Sequence, residues 1–488
     1  MTTVNHFRNR RQAHAVSRAS SDQAWNPFRH VWGERAQTWA GGEGLSEGGR
    51  TFLNSWINTL LVAAPVGIAI NYVPSIPRVA VFIVNFVAII PLAAMLSFAT
   101  EEIALRTGET LGGLLNATFG NAVEVIVSII ALLEGKIQIV KTSLIGSILS
   151  NLLLVMGCCF FFGGLRRPEQ HFNTVVAQTA ASLLALAAAS VIVPTVFDAA
   201  QNTPPAKVAA LSRGTAVILL IVYAAYLFFQ LKTHQNVFSQ ESQKVPAKPW
   251  ATPTTTTAAS RGNVHRAVVV PGSLMGGGLQ GEEANQRLSR MLMNPLRFDK
   301  NGDIKESKGP DEDGNSQDED EEEEDPQLHF AVALATLTLS TAIIALCAEF
   351  MVSSIDAVTR NGSLSEEFLG LILLPIVGNA AEHATAVTVA IKDKMDLAIG
   401  VAVGSSMQIA LFVIPFIVLV GWGLGDDTMN LSFDFFQTAT MFMAVLLANY
   451  LIGDGKSHWL EGFLLICLYA IIGVCAFYYP NSAADQTA

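Results

Sequence analysis

Two short stretches hold the residue types best suited to chemistry: GNAVE, from Gly120 to Glu124, and GNAAEH, from Gly378 to His383. On a helix, side chains three apart share a face. Asn121 therefore lines up with Glu124, with Thr118 and Ser128 extending the stripe, and Asn379 lines up with Glu382 and His383. Amide oxygens, carboxylates and loosened backbone carbonyls are hard ligands. Two such half-sites brought together would make an oxygen cage, and a calcium ion takes roughly six to eight oxygens with several carboxylates among them. A buried carboxyl group also takes up a proton more readily than an exposed one. The same residues can therefore hold calcium and protons in alternation, with no separate proton channel.

The surroundings of both motifs are apolar, as in LLNATFGNAVEVIVSIIALL, residues 114–133. A charge at the centre of a bilayer costs roughly 3 kcal/mol on insertion scales, so such a stripe must face protein or water. Gly120 and Gly378 permit close helix approach or local unwinding. Pro375, just ahead of the second motif, removes a backbone donor and leaves a carbonyl free.

The chain as a whole is built for a membrane. Of its 488 residues 51% are hydrophobic and 15% charged, and its mean hydropathy of +0.41 does not fit a soluble protein of this size. Apolar runs of roughly twenty residues, the length that crosses the hydrocarbon, predict an all-α polytopic membrane protein with eleven spans, near 51–71, 79–103, 111–133, 140–163, 174–197, 211–231, 328–353, 366–391, 396–423, 432–453 and 458–479. The first span acts as an uncleaved anchor, since nothing before it has the form of a secretory signal. Cys158, Cys159, Cys347, Cys467 and Cys475 all fall within spans and read as small buried hydrophobes.

Lys and Arg mark the cytoplasmic side. With the N-terminus in the cytosol, alternate connections hold thirteen basic residues against six, leaving aside the central segment. The C-terminus then lies on the other side, as do the sequons at Asn361 and Asn430. Residues 1–50 form a basic tail. The central segment, 232–327, is Thr- and Gly-rich and ends in eight consecutive acids from Asp318 to Asp325. It reads as a disordered cytoplasmic linker, whose acidic run is either a solvated self-repelling tract or one that attracts cations weakly or serves regulation.

An internal repeat organises the spans. A shift of 258 residues lays Gly120 on Gly378, Asn121 on Asn379, Glu124 on Glu382, Lys136 on Lys394, Gly146-Ser147 on Gly404-Ser405 and Gly163 on Gly421. ATEEIA around Glu101 and CAEFMV around Glu349 begin the two copies in a register displaced by ten residues. The expected architecture is one N-terminal helix, 51–73, followed by two five-helix repeats, 78–231 and 328–479, and a short tail, 480–488. An odd number of spans per repeat gives the copies opposite orientations, as in transporters whose substrate site lies at the midplane between inverted repeats.

GGLLNATFGNAVE, LIGSILSNLLLVMG, LLPIVGNAAEH and GVAVGSSMQIALFVIPF resemble the paired signatures of the cation/proton exchanger (CAX) family of calcium/cation antiporters, in particular the vacuolar calcium/proton exchangers of fungi and plants. The likeness covers nearly all of 51–479. It implies that Asn121, Glu124, Asn379 and Glu382 are cation ligands, and that Glu101 and Glu349 take part in proton and cation passage. It further implies that Ser147, Ser405 and His383 belong to the site, with Gln408 beside it. The transported ions are calcium and protons. The resemblance implies a vacuolar membrane, with dependence on a proton pump that acidifies the compartment; a homo-oligomer is a possible assembly. Lipid surrounds the chain, and no resident cofactor or nucleic-acid partner is expected. The N-terminal tail and the length of the linker match no family pattern.

Each assignment has a plainer competitor. Glu124 and Glu382 can be structural ion pairs, His383 can simply hold its neighbour in place, and Glu101 and Glu349 can sit at span ends where a carboxylate is cheap, as Glu102 does. Asn85, Asn151, Asp356 and Asp434 read as helix glue or interfacial residues. A sodium-coupled calcium exchanger, or an exchanger of manganese and other divalent ions, is the alternative transporter; sodium-coupled relatives tend to carry Thr-Ser and Pro where these motifs carry Asn-Ala. A membrane metalloenzyme is disfavoured, because Glu382-His383 does not have the HExxH spacing, no second histidine lies nearby and no nucleophile with an adjacent base appears. Nothing suggests a channel filter or a phosphate-binding Walker motif.

Overall fold

The computed structural model describes residues 56–107, 118–201, 204–238, 242–245, 328–359 and 364–480, together with 112, 114 and 115. The basic tail, Asn116, the Asn361 sequon and the acidic run lie outside the described residues.

A 3-10 turn, Trp56–Val62, leads into α1, Ala63–Asn71, and then α2, Arg78–Thr107, and α3, Ala122–Leu133. A rod follows, made of α4, Ile137–Leu149, a π turn, Ser150–Val155, and α5, Met156–Gly164; after it come α6, Thr174–Gln201, α7, Pro205–Phe228, and a short turn α8, Gln235–Phe238. The second half holds α9, Phe330–Val352, α10, Ile355–Thr359, and a rod of α11, Glu366–Phe368, a π turn, Leu369–Leu373, and α12, Leu374–Gly378. It continues with α13, Ala380–Ile391, then α14, Met395–Gln408, a π turn, Ile409–Val413, and α15, Ile414–Gly423, and closes with α16, Phe435–Leu451, and α17, Trp459–Phe477.

Among the described residues seven helices are long and apolar enough to cross a membrane, and an eighth if the bent pair 366–378 and 382–391 is one span. Three shorter apolar helices, 59–71, 122–133 and 435–451, fall within the other predicted runs. The run at 366–391 is not straight: its two parts meet at 63°. Large apolar side chains such as Ile218, Ile221, Phe228 and Ile471 lie outward and more than half exposed, as lipid contact requires. The protein is all-helical and integral to the membrane. Among the described residues the exception is a ribbon of two residues each, β1 (Gln170–His171) against β2 (Lys456–Ser457), where two loops pair their backbones. Helix also continues past 231, through a π turn, Phe229–Thr233, into α8, so the first residues assigned to the linker are helical.

The approach of α4 to the α11–α12 rod positions the motifs. Pro375 has no N–H to give the Leu371 carbonyl, and the chain there takes the π turn. A Cβ at Gly146 would lie 2.4 Å from Leu371 O and 2.7 Å from Pro375 Cγ, and a Cβ at Gly370 would lie 2.8 Å from Thr142 Cβ. Glycine on both surfaces lets the backbones touch. At the far end of α4, Lys136 pairs with Asp356, while Lys141 donates to Asn430 Oδ1 at 2.9 Å and Ser432 O at 2.8 Å. The Asn430 amide also donates to Asp427 O at 3.3 Å, so this sequon is engaged in holding a loop. All five cysteines are unbridged.

The Gly146 contact yields a first prediction. Gly146→Ala forces a backbone shift and destabilises the fold by roughly 1–3 kcal/mol, read as a lower unfolding midpoint of the purified protein in detergent; an unchanged midpoint would show that the rods are not locked there.

Candidate cation-binding site

Each motif occupies a helix break. Asn121 (φ −106°, ψ 25°) precedes α3 and Asn379 (φ −103°, ψ 9°) separates α12 from α13. Neither conformation continues a helix, so Glu124 and Glu382 fall in the first turn of a new one, where backbone N–H groups have no intrahelical acceptor and favour negative charge.

The two halves then interlock. Ser405 Oγ donates to Asn121 Oδ1 at 3.1 Å, and Asn379 Nδ2 donates to Ser147 Oγ at 3.5 Å. These are the same two positions exchanged between the repeats. Asn121 Nδ2 also donates to Gln408 Oε1 at 2.7 Å, and Asn151 Nδ2 to Ser405 Oγ at 3.1 Å. Asn121 and Asn379 are each 1% exposed. The π turns Ser150–Val155 and Ile409–Val413 follow the two GS steps, so the rod widens at the same place in both halves.

Glu124 is 8% exposed and neither of its carboxylate oxygens has a hydrogen-bond donor. It stands beside the Asn379 amide, and a Cβ at Gly378 would lie 3.5 Å from its Oε1. Glu382 lies beside Ser405 and close enough to Glu124 for the two charges to interact; its Oε2 is buried without a partner, as is His383 Nε2. A cavity of about 30 Å³ opens against Glu124, lined also by Ser128, Ser143, Ser147, Met351 and Pro375. Among the described residues no three His, Cys, Asp or Glu side chains cluster as a metal centre. The donor set is two carboxylates with neutral amide and hydroxyl oxygens, suited to a hard cation passing through.

Thus Asn121, Glu124, Asn379, Glu382, Ser147, Ser405 and Gln408 come together, with His383 adjacent. Glu101 and Glu349 do not join them: both are exposed, toward the ends of α2 and α9. Glu102, assigned to the interface, instead turns inward at 4% exposure and accepts from Leu328 N at 2.9 Å, while Arg106 donates to Leu328 O; the pair clasps the entry to α9. Thr118 leaves the stripe as well, its hydroxyl bonding Leu114 O at 2.8 Å on an exposed face. Asn151, read as helix glue, ties into the site through Ser405. Sequence reasoning missed Glu367, a buried acid on α11, although it lies opposite Glu109 in the 258-residue register.

The cross-repeat bonds yield a second prediction. In a double-mutant cycle, Asn121→Ala with Gln408→Ala should show a coupling of about 0.6–1.7 kcal/mol, the range for polar pairs between membrane helices. The check is unfolding in mixed micelles, and additive losses would mean the bond holds nothing.

Comparison with known proteins identifies the family. The family model "Sodium/calcium exchanger protein" matches twice, over residues 78–232 and 332–478. A vacuolar calcium ion transporter of Cryptococcus neoformans var. grubii is 42% identical over 463 residues, 88% of this chain and 74% of that protein. A Ca2+/H+ antiporter of Aphanothece halophytica is 40% identical over 404 residues, 83% of this chain and 91% of that protein. The solved structure of native YfkE, elsewhere described as a Ca2+/H+ antiporter protein, superposes with a TM-score of 0.61 at 30% identity, covering 86% of this chain and 100% of that one. The match of one exchanger model to both halves, around a site the two halves share, places this chain in the sodium/calcium exchanger protein family.

Proposed function

We propose that this protein is a secondary active calcium/proton antiporter that moves cytosolic calcium into an acidic organelle, the vacuole, in exchange for protons. The observation that carries the reading is a set of three buried carboxylate oxygens without a donor: Glu124 Oε1 and Oε2 and Glu382 Oε2. A buried, unpaired carboxylate is costly. Each must bind a cation or take up a proton, and one site that does either in turn exchanges the two. The relatives named as a vacuolar calcium ion transporter and a Ca2+/H+ antiporter support the choice of ions and of compartment.

The architecture we infer has eleven spans, the first followed by two inverted five-helix repeats, with the N-terminus and linker in the cytosol and the C-terminus in the lumen. The exchanged Asn–Ser pairs and the twofold match of the family model support the repeat. Glu124, Glu382, Asn121 and Asn379 hold calcium; Ser147, Ser405 and Gln408 orient the amides. The gradient comes from a proton pump in the same membrane. The Asn-Ala cores favour protons over sodium as the driving ion.

Radiolabelled calcium uptake into vesicles with an acid interior, without ATP or sodium, tests the reading. Wild-type uptake should collapse with a protonophore and fall to background in Glu124→Gln and Glu382→Gln. Uptake that follows a sodium gradient instead would make the protein a sodium-coupled exchanger, and active Gln variants would move the site elsewhere. Because protons compete with calcium for the carboxylates, apparent calcium affinity should weaken as the pH on the loading side falls, about tenfold per unit for each proton displaced. An affinity indifferent to pH would separate the two ions.

A further inference from the structure

A second buried carboxylate stands apart from the motifs. Glu367, on α11, is 6% exposed. Gln138 Nε2 donates to its Oε1 at 3.0 Å, and Gln437 Nε2 reaches Oε1 at 3.0 Å and Oε2 at 3.1 Å. The same nitrogen lies 3.0 Å from Thr142 Oγ1. A primary amide has two hydrogens, so these acceptors compete for them. Meanwhile Gln437 Oε1, in a side chain with no exposed surface, accepts from nothing. The other titratable groups near the carboxylate are Glu366 on its own helix, Asp434 at the start of α16, and Tyr479 beyond α17. Among the described residues, none of the hydrogen bonds found at this carboxylate comes from a Lys, Arg or His.

An amide differs from a cation as a carboxylate's partner. Lys or Arg would hold only the ionised form. Gln437 serves both: the carboxylate accepts from Nε2, and the acid's O–H donates to Oε1 once the amide turns over. The group is therefore buried yet able to change its protonation state.

It also lies near the cage. Thr142, in contact with Gln437, precedes Ser143, which lines the Glu124 cavity with Ser128 and Ser147. Pro375, eight residues along the rod from Glu367, lines the same cavity, about 12 Å away at helical rise. In the 258-residue register Glu367 answers to Glu109, so each motif carries a glutamate fifteen residues ahead of its cage glutamate.

We propose that Glu367 is a second proton-binding residue of the transport cycle, set between the cage and the lumenal water. A hydronium ion from the lumen gives its proton to the Glu367 carboxylate. The acid passes it through cavity water to Glu124 or Glu382 as calcium leaves, and Glu367 returns to its ionised form with no other reactant consumed. The inference rests on the antiport reading and its orientation.

The test is radiolabelled calcium uptake into vesicles at fixed outer pH and stepped lumenal pH, for wild type, Glu367→Gln, Glu367→Asp and Gln437→Leu. Glu367→Gln keeps the shape and the amide pairing but cannot bind the proton. Its response to lumenal pH should lose the equivalent of about one proton, a roughly tenfold smaller change per unit, while the calcium KM on the outer face stays put. Glu367→Asp should keep a lumenal response. Gln437→Leu, without the donor that stabilises the ionised form, should move the midpoint up by about one unit. A Glu367→Gln profile that superposes on wild type overturns the proposal. So does a folded Glu367→Asp as flat as the Gln variant, because the carboxylate would then serve only to hold Gln437. Wild type without acid-driven uptake would overturn the antiport reading itself, and would be seen before any variant is compared.

Discussion

The structure depends on two carboxylates set in an apolar bundle, Glu124 with no hydrogen-bond donor on either oxygen and Glu382 with its Oε2 left without one. A buried carboxylate oxygen without a partner is costly as a bare anion and calls for a proton or a cation beside it. Their neighbours are neutral oxygens: the amides of Asn121 and Asn379 and the hydroxyls of Ser147 and Ser405. A lysine or arginine at the centre would satisfy the charge permanently and end exchange. Neutral dipoles leave it to be satisfied by whichever ion arrives.

Everything around the pair makes that unsatisfied state tolerable. The helices break at Asn121 and Asn379, so Glu124 and Glu382 fall in the first turns of new helices, where negative charge is favoured. The π turns after both GS steps and the Pro375 break alter the usual backbone pattern in the same layer. Gly146 and Gly370 let α4 lie directly on the α11–α12 rod, which brings Ser147 to Asn379. Polar bonds join the halves away from the site as well: Lys141 meets Asn430 and Ser432, Gln170 meets Ala390 and Asp393, and Asn173 meets Asp396.

The membrane-crossing character of the chain and the pairing of its two motifs were legible in the sequence because they rest on local rules. Length and apolarity marked the helices, and Glu382 in register with Glu124 marked the half-sites. The bend at 366–391 was less so, since hydropathy does not report direction. Glu102, read as a span-end carboxylate, turns inward instead: adjacent residues on a helix point about 100° apart, and its inward placement goes with Leu328, which lies across the central segment in sequence.

By itself, the sequence determined that the chain crosses a membrane, that it is duplicated, and that each copy carries one Asn and one Glu where a lipid-facing helix would carry neither. These follow from composition and period, which every residue expresses locally. Only the tertiary structure decided which polar groups meet. Asn121 finds Gln408 from 287 residues away, Ser147 finds Asn379, and Glu367 gathers Gln138 and Gln437 into a buried cluster that no span-by-span reading contains. Rotation of each helix about its axis sets those meetings. That rotation is fixed by packing, through the glycine contacts at 146 and 370, and packing is a property of pairs of helices rather than of any one.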